Sequence, residues 1–196
     1  MVCEKPFTPT FKEADDLVKI ATKQNKLLAV YQSMSSYPST ISTRTFLTTI
    51  LQQLDRRWDA DFVTLSKLVK NGSLGRIAEF ETHFDRHRPE EPSADASKWK
   101  NKVIPGGSAI YDLGTHLLDQ AVHLLGLPKR VTGFIGTSRA VNTSGFEDSF
   151  TVLLHYANGT LVTAKATVVS PEEEQLRFWV RGEKGSFKKV SPNHCS

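Results

Sequence analysis

From Arg130 onward the chain is a succession of short runs that alternate apolar and polar residues, near Arg130–Thr137, Asp148–Tyr156, Thr160–Val169 and Gln175–Arg181, with a last short one at Ser186–Val190. Alternation with a period of two places side chains on opposite faces of a strand, so each run buries one face and wets the other. Asn158-Gly159, between the second and third runs, is a hairpin signal. An earlier run, Ile77–Phe84, alternates in the same way. Two helical patterns accompany these strands. One runs from around Arg56 to Asn71, with Phe62, Leu65, Leu68 and Val69 on its apolar face and Gly72 at its end. The other opens near Asp112 and closes at Gly126, with Pro128 beyond. Hairpin strands together with helices give an α+β class: an open, mostly antiparallel sheet with helices on one face.

The N-terminal part follows another rule. Thr10-Phe11-Lys12-Glu13 reads as a capping box. Phe11, Ala14, Leu17, Val18 and Ala21 then give an amphipathic helix to about Lys23. Leu27-Leu28-Ala29-Val30-Tyr31 is a continuous apolar run, as in a strand buried on both faces. Helix then buried strand is the tail of a βαβ pattern, so residues 1–32 read as the remnant of a Rossmann-type α/β domain. Residues 33–55 read as an atypical insert or linker, opening with Ser33-Met34-Ser35-Ser36-Tyr37-Pro38-Ser39. Within them Phe46, Leu47, Ile50, Leu51 and Leu54 recur at helical spacing and extend the next helix. Residues 56–196 form the α+β domain.

Composition narrows the function classes. Lys and Arg number 25 against 21 Asp and Glu, for a net charge of +4, but the basic residues are scattered. No basic stripe coincides with a nucleic-acid module, so no nucleic-acid partner is expected. No apolar run approaches a membrane span and no basic segment leads into an apolar stretch at the start, so the expectation is a cytoplasmic protein with no membrane partner. Cys3 and Cys195 lie near opposite ends and form neither a disulfide framework nor a metal knuckle. His83, His87, His123 and His155 lack metal-ligand spacing, and no metal site is expected. His155 falls in an alternating strand and reads as a sheet-face residue.

Tyr111-Asp112-Leu113-Gly114-Thr115-His116 places a carboxylate and an imidazole four residues apart at the start of a helix. On an α-helix those positions share a face. Asp112 can then orient His116 while the other ring nitrogen faces a cleft, a way to build a general acid or base at neutral pH. The plain alternative is a solvated helix pair contributing about 0.2–0.5 kcal/mol.

The order of the motifs is more specific than any one of them. Glu4-Lys5-Pro6 stands ahead of the first helix, and Arg56-Arg57-Trp58-Asp59 opens the next. Gly72-Ser73-Leu74-Gly75-Arg76-Ile77 leads into a strand. Gly106-Gly107 precedes Asp112-Leu113-Gly114-Thr115-His116, and Gly182-Glu183-Lys184-Gly185-Ser186-Phe187 lies near the end. Together these resemble the Gfo/Idh/MocA family of NAD(P)-dependent oxidoreductases. The resemblance implies hydride transfer between NAD or NADP and a sugar, polyol or related carbonyl substrate. By motif, Lys5, Asp112 and His116 are its catalytic residues. His116 would transfer the proton, while Asp112 and Lys5 orient the substrate hydroxyl. Glu4, Lys5, Pro6, Arg57 and Trp58 would border the cofactor, and Arg86, Asp112 and His116 the substrate. The resemblance also implies a homo-oligomer built through the open sheet. Pro6 biases Lys5 toward an extended backbone, as at a strand end.

The sequence departs from that pattern in one important place. It contains no G-x-G-x-x-G after a strand and no acidic residue about twenty positions beyond to read a ribose. The expectation is impaired dinucleotide affinity, and a partial or mis-spliced product that explains the unusual front, middle and tail together. The alternative is a non-catalytic α+β interaction or dimerisation module.

Overall fold

Thr10 caps the first helix as expected. Its side chain accepts from the Glu13 backbone N–H at 3.3 Å, and the Glu13 carboxylate accepts from the Thr10 backbone N–H at 3.0 Å. The helix it starts, α1, spans Phe11–Lys23. It lies between β1 (Val2–Glu4) and β2 (Ala29–Tyr31), which pair in parallel with Val2 opposite Ala29. A third strand, β3 (Leu51–Gln53), pairs in parallel with β2. These descriptions come from a computed structural model that describes residues 2–31, 51–53, 55–90, 104–140 and 145–192. The chain divides into two compact units, Met1–Trp58 and Asp59–Ser196.

In the first unit the parallel β-α-β path is present and two expectations are corrected. β1, α1 and β2 form a parallel β-α-β unit, with Val30 buried in β2 and Leu28 buried just before it, but Leu27 is 51% exposed, so the run is not buried on both faces as expected. Leu51, read as part of a helix, is instead in β3. Strand pairing with β2 satisfies its backbone groups, and that long-range gain overrides a weak local period. Phe46, Leu47, Ile50 and Leu54 lie outside the described residues. A single turn of 3₁₀-helix, Asp55–Arg57, closes this unit before Trp58.

The second unit holds the large core. Helix α2 (Ala60–Lys70) is followed by β4 (Ile77–His83). A π-helical turn, Ile110–Gly114, runs directly into α3 (Thr115–Leu125), which ends at Gly126. Five strands follow: β5 (Arg130–Gly136), β6 (Ser149–His155), β7 (Leu161–Ala166), β8 (Glu174–Gly182) and β9 (Ser186–Pro192). They form one six-stranded sheet in the order β5-β6-β7-β4-β8-β9. Every neighbouring pair is antiparallel except β4 with β7. The expected open, mostly antiparallel sheet is therefore present.

One face of this sheet carries the apolar side chains. Phe80, Phe150, Val152, Leu154, Val162 and Phe178 pack with Phe62 and Leu65 of α2 and Leu117 and Ala121 of α3. The intervening residues of each strand point the other way. Among them Phe134 is 63% exposed and Leu161 37% exposed. Among the described residues no helix is long and apolar enough to cross a membrane.

Candidate active site

The segment that carries Asp112 and His116 is built from a glycine turn. Gly107 N–H donates to the Ile104 carbonyl at 2.9 Å, and both Gly106 and Gly107 are buried. Ala109 N–H then donates to the Glu147 carbonyl at 2.9 Å, anchoring the segment beside β6. The Ser108 carbonyl accepts from the Tyr111 and Asp112 N–H groups at 3.0 and 3.1 Å and starts the helical path.

That path opens as a π turn, where the sequence led us to expect an α turn. Its i→i+5 bonding is wider than an α turn, and such turns recur at functional sites. Asp112 sits inside it and is half-buried, while His116 lies in the first turn of α3 and is 6% exposed. Gly114 explains part of the path. A Cβ there would lie 2.7 Å from Ile110 Cδ1 and 3.2 Å from Phe150 Cζ, so glycine lets this turn lie close to β6 without displacing the Ile110 side chain. Thr115 also donates its hydroxyl back to the Tyr111 carbonyl at 2.7 Å.

Arg86 belongs to the same unit, just beyond β4. Its backbone N–H donates to the Thr167 carbonyl at 2.9 Å, and its carbonyl accepts from Ser170 N–H at 3.0 Å. Its guanidinium stands 4.7 Å from the centre of the Phe84 ring. The next residues are held by Arg139, whose Nε donates to the Arg88 carbonyl at 2.7 Å and whose Nη1 lies 3.3 Å from the buried Asp148 carboxylate. Residues 91–103 of this loop lie outside the described residues.

Lys5, Pro6, Arg57 and Trp58 belong to the first unit. Lys5 follows β1 directly, and the Lys5–Pro6 peptide is cis. Arg57 ends the 3₁₀ turn, and Trp58 is 64% exposed. Glu4 is the last residue of β1.

Several buried polar residues near the site went unread in the sequence. Arg177, Gln120 and Thr82 are all buried, and Arg177 donates to both of the others. The one sequence signal was a glutamine on the apolar side of α3, one turn after His116. His83, read in the sequence only as lacking metal-ligand spacing, is half-buried: its Nδ1 lies 3.0 Å from Asp85 Oδ2, whose other oxygen accepts from Thr167 N–H at 3.1 Å. His155 is a sheet-face residue, as expected, with Nε2 3.3 Å from the Thr132 hydroxyl. No group of three or more His, Cys, Asp or Glu side chains among the described residues is arranged to hold a metal ion.

Comparison with known proteins decides the lineage. Residues 62–188 match the model of the GFO/IDH/MocA C-terminal domain. The chain belongs to the GFO/IDH/MocA family. It is 37% identical over 193 residues to an uncharacterized oxidoreductase of Schizosaccharomyces pombe, covering 96% of this chain and 46% of that protein. It is 30% identical over 189 residues to the Bacillus subtilis scyllo-inositol 2-dehydrogenase (NADP(+)) IolW, covering 96% of this chain and 44% of the relative. A solved oxidoreductase from Bacillus cereus superposes with a TM-score of 0.73 at 27% identity, covering 97% of this chain and 45% of that one. The chain thus spans about half the length of the curated relatives it matches. These relatives are oxidoreductases and dehydrogenases.

Proposed function

We propose that this chain carries the substrate side of a nicotinamide-dependent oxidoreductase acting on the CH–OH group of a sugar or polyol. The observation that supports it is His116, buried in the first turn of α3 immediately after the π turn that holds Asp112. Oxidising an alcohol requires a proton to leave oxygen as hydride leaves carbon. NAD or NADP supplies the hydride chemistry when bound. His116 takes the hydroxyl proton in the oxidative direction and returns it in the reductive one. Asp112 orients the hydroxyl and stabilises the charge that develops. Arg86, held on the Phe84 ring, contributes a fixed cation to the substrate region.

The dinucleotide fits the described residues poorly. A pyrophosphate needs free N–H groups at a helix N-terminus behind a glycine-rich turn. The N-terminus of α1 is closed by Thr10 and by the Glu13 carboxylate, and Lys5-Pro6-Phe7-Thr8-Pro9 leads into it without glycine. A carboxylate at that end repels phosphate.

The test is turnover of a panel of polyols and aldoses with NAD and NADP at millimolar cofactor, followed by absorbance. His116→Ala should lower turnover by about 10²–10⁴-fold. Turnover unchanged in His116→Ala would overturn the assignment. A second reading, favoured by the closed α1 N-terminus and by the apolar residues on the uncovered sheet face, is a self-associating module in which that face pairs with another copy. Absence of turnover at any cofactor concentration would leave that reading alone.

A further inference from the structure

We propose that Arg177 and Gln120 are positioning residues for His116, fixing the rotation of α3 against the sheet through a guanidinium that a β-bulge turns into the core. The inference rests on reading His116 as the proton-transferring residue. In β8, Phe178 and Val180 face the helices, so simple alternation sends residue 177 to the opposite face. The register against β9 breaks between Leu176 and Phe178. Arg177 is the extra residue, and Arg177 and Phe178 are consecutively buried, 7% and 0% exposed. Bulges re-aim side chains in this way.

A buried cation is costly unless its donors are all used, and an apolar residue would pack here at lower cost. The guanidinium reaches three elements. Nη2 donates to Gln120 Oε1 on α3 at 2.8 Å. Nη1 donates to the Thr82 hydroxyl at 3.0 Å and the His83 carbonyl at 3.1 Å, both on β4. Nε lies 4.0 Å from Asp61 Oδ2 on α2, and the guanidinium carbon is 4.1 Å from the Phe178 ring centre. Gln120 is fully buried and follows His116 by one helical turn, so the two share a face of α3. Apolar contacts at Leu117 and Ala121 hold α3 down but are non-directional. The Arg177–Gln120 bond is directional. It sets the phase of α3 just after the path changes from π to α, and with it the position of the imidazole. The planar fork of arginine serves two elements at once, which a lysine cannot reproduce.

The experiment is NMR of the isotope-labelled full chain, with the His116 ring signals assigned by their loss in His116→Asn. The variants are Gln120→Met, Arg177→Lys and Arg177→Met. The control is Leu74→Ala, a buried residue packed at the far end of β8 against Gly182 and Gly185. In Gln120→Met and Arg177→Lys the His116 ring resonances should shift and broaden while thermal unfolding stays cooperative. In Leu74→Ala the melting temperature should fall with the His116 resonances in place. Should Arg177→Met not fold, the two milder variants still decide. Unmoved His116 resonances in both of them, or an equal shift in Leu74→Ala, would overturn the inference. Full turnover in His116→Ala would instead remove the catalytic reading and leave this mechanical coupling standing.

Discussion

At Gly182 a side chain has no room. A Cβ built there would lie 2.0 Å from the Leu74 carbonyl oxygen, a backbone atom that already accepts from Lys184 N–H at 3.0 Å. The glycine of Gly182-Glu183-Lys184-Gly185 is therefore required by sterics, with no chemistry involved. Gly182→Ala should lower stability by about 3 kcal/mol, read as a reduced urea midpoint at unchanged m-value. Gly114→Ala should cost less, about 1 kcal/mol, because its closest neighbour is the free end of the Ile110 side chain. A larger loss at Gly114 than at Gly182 would contradict both packing arguments. Tyr156 offers a titration at the same scale. Its hydroxyl donates to the Gly126 carbonyl at 3.0 Å, and burial pushes its pKa above the ordinary tyrosine value. A raised folded-state pKa means that the stabilisation is complete below the unfolded pKa of about 10 and is lost as pH rises through the folded value. Stability measured across that alkaline range should fall in the parent chain and fall less steeply in Tyr156→Phe.

Elements divide into those that local chemistry dictates and those that pairing dictates. The capping box at Thr10, the glycine stop at Gly126 and the Asn158-Gly159 hairpin were legible because each is a short-range signal with its own mechanism. The limits of β6, β7 and β8 followed from alternation over a half-buried sheet. β1 was not legible. Three residues are too few to show a period, and they are strand only because β2 lies beside them. The same holds for β3. The candidate site could be named from its residue types and their order, since Asp112 and His116 stand in one short motif. Its geometry could not be read, because nothing local distinguishes a π turn from an α turn until Gly114 is placed against Phe150. Arg177 was hidden for a related reason: a bulge breaks the alternation that assigned it outward. Element-scale stability should reflect this division. Helix α1 has no buried residue, whereas α3 buries His116, Leu117, Gln120 and Ala121. Hydrogen exchange should be fast along α1 and slow along α3. Thr10→Ala should remove about 1 kcal/mol of α1 protection and leave α3 unaffected. Leu117→Ala should cost about 2–5 kcal/mol and lower protection across the whole second unit.

For the whole molecule, the question is what the uncovered face of the six-stranded sheet does. Its helix-facing side is filled, and among the described residues of the second unit no helix covers the other. The residues there form two zones. Around β4 and β8 they are charged or mixed: Glu79 pairs with Arg181, and Trp179 lies between the Arg181 and Lys188 cations at 5.8 and 5.1 Å. Toward β5 the apolar side chains are Phe134 and Leu153, flanked by Thr132, Thr151 and Thr163 on facing positions of three adjacent strands, with Lys165 opposite Thr151. Phe134 and Leu153 beside a zone carrying both charges suit contact with the same face of a second copy, because a two-fold axis sets each zone against its own counterpart or against the other. Sedimentation velocity across the micromolar range should therefore show association of the parent chain. Leu153→Asp, which places a charge in the middle of the apolar zone without touching the helix-facing core, should shift it to monomer with unchanged circular dichroism. Leu161→Asp, on the next strand, should do the same. A parent chain that sediments as a monomer throughout, or a Leu153→Asp variant that associates as before, would rule out this face as the contact and leave the catalytic reading to be judged on His116 alone.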